Sequence, residues 1–124
     1  MRIFVCKKCG KIVEMLHKSP CPTMCCGEPM EEAAANTSDG ALEKHVPVVE
    51  IKDGVVNVCV GEAVHPMLDA HYIMWIALET TNGIQRKPLA PGEEPKAAFA
   101  LLPEEKPIAA YEYCNLHGLW KKEI

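Results

Sequence analysis

No apolar run in the 124 residues approaches the ~20 that a helix needs to cross a bilayer, so no membrane span is expected. The opening stretch, Met1 to Cys6, lacks the long apolar core and small-residue cleavage site of an export signal. Basic residues are not in excess. Thirteen Lys and Arg stand against 17 Asp and Glu, a net charge of −4, which argues against a nucleic-acid partner. There is no internal repeat and no low-complexity tract. Cysteine, in contrast, is plentiful. Seven of them in a chain without an export signal read as metal ligands or free thiols, not disulfides, and place the protein in a reducing cytoplasm. A hydrophobic content of 48% is enough for a packed core.

The first 37 residues read as one small unit. Ile3-Phe4-Val5 and Ile12 to Leu16 are short strand candidates. Pro20 and Pro22, on either side of Cys21, break regular structure because each fixes φ and removes a donor. Cys6-x-x-Cys9 bends the chain so that two thiolates can face one ion, and Cys25-Cys26 adds two more sulfurs. Four thiolates suit tetrahedral zinc or iron, and on chemistry alone the two divide evenly. So short a segment buries little apolar surface, and a metal is a source of its stability. Cys21 is surplus, and His17 has no ligand-spaced partner. Glu31 to Gly40 is a linker by composition, with the boundary near residue 37.

Residues 38–124 read as β-rich. Val46 to Ile51 and Val55 to Val60 are β-branched runs joined across Asp53-Gly54, a strong hairpin signal. His71 to Thr80 is apolar on both faces, as a central strand is. Asn82-Gly83 marks a second hairpin. Arg86 to Leu89, Ala97 to Leu102 and Ile108 to Tyr113 are further strands, punctuated by Pro88, Pro91, Pro95, Pro103 and Pro107. Short strands with turn signals every 8–12 residues or so suggest a β-sandwich. Cys59 falls in a strand pattern and reads as a small apolar residue, and Trp75 and Trp120 as core aromatics.

Near the C-terminus, Cys114 stands three residues before His117, a spacing that lets one loop hold a metal from two sides. His45, His65 and His71 lie upstream in short polar segments. Zinc sites close with four ligands, whereas five of mixed N and S type suit an iron with a sixth position open for chemistry.

These motifs also carry a resemblance. Glu43-Lys44-His45-Val46-Pro47, His65-Pro66-Met67, His71-Tyr72-Ile73 and Cys114-Asn115-Leu116-His117-Gly118 resemble, in order, those of superoxide reductases. Cys6-x-x-Cys9-Gly10 with Cys25-Cys26-Gly27-Glu28-Pro29-Met30 resembles the two-iron form, the desulfoferrodoxins. The resemblance implies a desulforedoxin-like iron–tetracysteine domain (1–37) ahead of an immunoglobulin-like β-sandwich (38–124) carrying the catalytic iron. It implies one iron on Cys6, Cys9, Cys25 and Cys26, and a second on His45, His65, His71, His117 and an axial Cys114 thiolate. It implies one-electron reduction of superoxide to hydrogen peroxide. Lys44 would attract the anion, and Glu43 would occupy the open position in the ferric state. Rubredoxin as donor and a homodimer are likewise implied. The competing readings are a dismutase on the same site, an electron-transfer protein with a closed iron, and a zinc-folded binding module.

Overall fold

Alternating side chains and left-handed turns account for most of the architecture. The computed structural model describes residues 1–38 and 40–124. The chain separates into two compact units, Met1–Ala34 and Ala35–Ile124.

In the first unit the strands are β1 (Ile3–Val5), β2 (Ile12–Glu14), β3 (Met24–Cys25), β4 (Glu28–Pro29) and β5 (Glu31–Glu32). β2, β1 and β5 form one antiparallel sheet in that order, and β3 pairs with β4. β2 stops at Glu14, short of the Leu16 expected to end it, and Leu16 is 90% exposed. Only Ile3, Cys6 and Met30 are buried here. A core of that size is too small to hold 34 residues by apolar burial.

The second unit contains α1 (Leu42–His45), β6 (Pro47–Lys52), β7 (Val55–Val60), β8 (Ile73–Thr80), β9 (Gly83–Pro88), β10 (Lys96–Ala100), β11 (Pro107–Cys114) and β12 (Gly118–Glu123). One sheet runs β10-β7-β6 and the other β12-β11-β8-β9, with every pair antiparallel. The expected β6–β7 hairpin turns on Asp53 and Gly54 with φ of 51° and 75°, the double left-handed turn that matches strand twist. Val56, Val58 and Val60 point inward with Phe99 and Ala97. Ile76, Leu78 and Ala110 of the second sheet meet them, giving an immunoglobulin-like sandwich core. Each fully buried Val, Leu or Ile contributes about 1.5–3 kcal/mol. Among the described residues no helix is long and apolar enough to cross a membrane.

Two elements escape the sequence pattern. α1 is a single turn, below the length at which periodicity shows. β12 carries only Leu119 and Trp120 as apolar residues before three charges, and it survives as an edge strand paired to β11, where charge discourages further pairing.

The pairing gathers one end of the sandwich. Pro47 opposes Val60, so the start of β6 meets the end of β7. Cys114 opposes both Ile73 and Gly118, so the end of β11 meets the starts of β8 and β12. His45, His65, His71, Cys114 and His117 all sit in or beside the connections at this end.

Candidate metal centres

The four histidines form a closed ring. Centroids of neighbouring imidazoles lie 4.7 Å apart for His45–His65, 4.6 Å for His65–His71, 5.0 Å for His71–His117 and 4.7 Å for His117–His45. Neighbours are near perpendicular, at 74–84°, while His45 and His71 face each other across 6.2 Å at 30°. This sets four imidazoles around a common centre.

The tautomers of His45 and His65 are fixed by carbonyls, which can only accept. His45 Nδ1–H donates to Ala41 O at 2.8 Å and His65 Nδ1–H to Pro66 O at 2.6 Å. Both Nε2 atoms therefore present lone pairs, yet they lie 3.2 Å apart. His71 Nε2 is buried with no partner, and His117 Nδ1 lies 2.9 Å from His45 Nε2. Protonation does not relieve this crowding, because burial pushes His45 and His71 below the usual histidine range and His65 down to about 4. Converging lone pairs on neutral imidazoles fit a cation between them.

Cys114 joins the same cluster. Its Sγ and the ligand nitrogens of His45, His65 and His71 lie within 4.8 Å of one another, and Sγ is 3.7 Å from His117 Nδ1. Burial pushes the Cys114 thiol up, and amide donors from His117 and Leu116 work against that by favouring the thiolate. Asn115 ties the cysteine loop to the His71 segment, accepting from Tyr72 N at 2.9 Å and donating to Ala70 O at 3.1 Å.

Two residues before Cys114, Glu112 is fully buried and neither carboxyl oxygen has a partner among the described residues. Burial pushes it up to about 9 from 4.5. The folded chain thus holds this proton more tightly than the unfolded chain. The neutral acid is tolerated below the unfolded value, and stability falls as pH rises from there towards 9. At about 1.4 kcal/mol per pH unit, ~3 kcal/mol is lost between pH 6 and 8.5. Glu112→Gln keeps the shape without the titration. Its denaturation midpoint is expected to exceed that of the parent at pH 8.5 and to match it near pH 5. Parallel pH profiles for the two proteins would contradict this.

Three features of the site are not signalled by ligand motifs. Trp120, fully buried, stacks on His45 at 4.8 Å and 23°. A Cβ on Gly40 would meet that indole at 2.8 Å, so only glycine fits there. A Cβ on Gly61 would fall 2.5 Å from Lys44 O, and the Ala63 amide donates to Glu43 O at 3.0 Å. The Glu43-Lys44 backbone is therefore packed from below. Both side chains are exposed on α1, with Lys44 close enough to lower the His71 pKa and Glu43 close enough to raise that of His45.

In the first unit, the sulfurs of Cys6, Cys9, Cys25 and Cys26 all lie within 4.8 Å of one another. The adjacent pair reaches one point because Cys26 and Gly27 form a left-handed turn, φ 50° and 75°, between β3 and β4. A non-glycine residue there costs roughly 1–2 kcal/mol. Amides of Cys9 and Lys8 lower the Cys6 thiol to about 7. Hydrogen bonding with Cys9, Cys25 and Cys6 pushes Cys26 up to about 12. Cys21 and His17 are exposed and outside this cluster, and Cys59 is half-buried in β7.

Comparison with known proteins agrees with this geometry. The family model described as Desulfoferrodoxin matches residues 37–123. The chain belongs to the desulfoferrodoxin family. A desulfoferrodoxin from Syntrophotalea carbinolica is 45% identical over 123 residues, 99% of this chain and 96% of its own. A superoxide reductase from Pyrococcus abyssi is 36% identical over 71% of this chain and 91% of its own. The crystal structure of the superoxide reductase from Treponema pallidum superposes with a TM-score of 0.81 and 36% identity, covering 98% of both chains. A mainly β chain with a tetracysteine cluster and a His/Cys cluster is what the desulfoferrodoxin resemblance implied.

Proposed function

We propose that this desulfoferrodoxin is a superoxide reductase. The observation that carries the reading is the ring of four imidazoles closed by Cys114. In this reading His45, His65, His71, His117 and Cys114 hold the catalytic iron. Cys6, Cys9, Cys25 and Cys26 hold a second. Residues 1–37 act as a desulforedoxin-like domain and 38–124 as the reductase domain. Bound at the His/Cys site, ferrous iron would supply the one electron that, with two protons, converts superoxide to hydrogen peroxide.

The chain's own residues do the rest. Lys44 places a mobile positive charge beside His71, where it draws in a small anion despite the net negative charge. Glu43, next to it, is the carboxylate positioned to visit the site and leave again. Amides of Leu116 and His117 oppose the burial that pushes the Cys114 thiol up, favouring its thiolate form and tempering its electron donation. An external one-electron donor must restore the reduced state, and rubredoxin is the candidate. The same reading makes the protein a cytoplasmic homodimer.

The test is the peroxide formed per superoxide consumed, with the protein held reduced by excess donor. One peroxide per superoxide and no oxygen release is expected. Half that yield with oxygen evolved would mean dismutation. No acceleration would leave an electron-transfer or structural role.

A further inference from the structure

We infer that Trp120 is a positioning residue of the His/Cys centre, and that Gly40 is glycine so that the Trp120 and His45 rings can lie against each other. This rests on the metal reading of the cluster but not on superoxide as substrate.

His45 occupies a shared position in the ring. Its Nε2 lies 3.2 Å from His65 Nε2 and 2.9 Å from His117 Nδ1, so a tilt of this one imidazole disturbs two neighbours. On its far side the ring is held by one hydrogen bond, from Nδ1 to Ala41 O. A single bond leaves the ring torsion broad, because terminal sp³–sp² torsions have shallow wells. The stacked indole, at 4.8 Å and 23°, removes that freedom.

The stack is closed from the chain side by Gly40. A Cβ there would lie 2.8 Å from Trp120 Cζ2, 3.0 Å from His45 Cε1 and 3.1 Å from His45 Nδ1. Three contacts, two of them to His45, leave no room for a methyl group. Trp120 itself is immovable, because it is fully buried in β12 and paired across the ladder with Glu112 on the strand that ends at Cys114. The indole N–H has no partner among the described residues, so hydrogen bonding does not explain the placement. What the side chain contributes is its face. An electron-rich face against an imidazole also favours the more positive state of whatever that imidazole binds.

The test compares Trp120→Leu, Trp120→Phe and Gly40→Ala. Metal affinity is measured by competition with a chelator, and reduction potential and visible absorption are recorded on the iron-loaded proteins. The tetracysteine centre of the same chain serves as an internal loading control. Trp120→Leu is expected to lose 10–100-fold in affinity at the His/Cys centre, the usual cost of removing a supporting group, and to shift its potential upward. Trp120→Phe, which restores an aromatic face, should recover most of both. Gly40→Ala, which leaves the indole in place but displaces the stack, should weaken affinity as well. Unchanged affinity, potential and spectrum in Trp120→Leu would overturn the assignment. A Trp120→Phe as impaired as Trp120→Leu, with Gly40→Ala silent, would also overturn it, reducing Trp120 to core volume. Should Trp120→Leu fail to fold, the other two variants decide. Absence of metal binding by the parent chain would sink the metal reading itself, a different outcome from normal binding that ignores Trp120.

Discussion

Cys114→Ser is expected to reduce superoxide-dependent peroxide formation at least ~100-fold, to background. Three properties are lost together. A thiol becomes a thiolate when it binds a metal, whereas a serine hydroxyl keeps its proton. The soft sulfur is replaced by a hard oxygen on a shorter bond. The electron density that a thiolate would give to a bound metal, as in haem–thiolate enzymes, disappears. The site cannot compensate, since Cys114 is fully buried and the amides of Leu116 and His117 that favour its anion have no charge left to stabilise. The four imidazoles and the carbonyl anchors of His45 and His65 remain, so metal binding is expected to persist, more weakly. Steady-state peroxide production under excess donor checks the rate, and loss of the sulfur-to-metal absorption checks the cause. A Cys114→Ser protein that reduces superoxide at the parent rate would remove the cysteine from the mechanism.

Much of this site was legible in the sequence, for reasons that differ by residue. The candidate ligands are chemically distinctive side chains in short motifs, and the Asp53-Gly54 turn declares its hairpin because few residues accept two successive left-handed positions. What held the ligands in place was not legible. Trp120 and His45 are 75 residues apart in the chain, as the distance from 45 to 120 gives, and nothing in a two-residue alternation says that an edge strand will lay its indole on a histidine. Gly40 and Gly61 carry no pattern at all, because their meaning is the absence of a Cβ where another part of the chain passes. The choice of Nε2 on His45 and His65 follows from which carbonyl stands behind each ring. Adjacent residues such as Cys25 and Cys26 point to opposite sides of an extended strand, which keeps their sulfurs from one ion. The left-handed Cys26 resolves it by turning the second sulfur back towards the first.

The first unit should not outlive its metal. Cys9→Ser, or removal of the tetracysteine metal, is expected to unfold residues 1–34 while the sandwich of residues 35–124 stays folded. Ile3, Cys6 and Met30 are the unit's buried apolar residues, and its strands are two or three residues long. The ion pairs Arg2–Glu32, Lys7–Glu31 and Lys8–Glu28 are all solvent-exposed and add little. Structural zinc in comparable small domains supplies an apparent ~10–16 kcal/mol, more than such a core can replace. Without a cation, the sulfurs 3.6 Å apart for Cys9–Cys25 and 3.9 Å for Cys25–Cys26 cannot all ionise, as the rise of Cys26 to about 12 reflects, and neutral thiols attract one another weakly. Binding must therefore expel protons, so affinity at this centre should fall as pH falls and acid should release the metal first from here. Amide hydrogen exchange resolves the two units. Cys9→Ser should lose protection across β1, β2 and β5 and keep it across β7, β8 and β11, with peroxide formation by the His/Cys centre intact. Native protection of residues 1–34 in the metal-free variant would mean that this small core holds itself together, and the cysteines would then serve electron transfer alone.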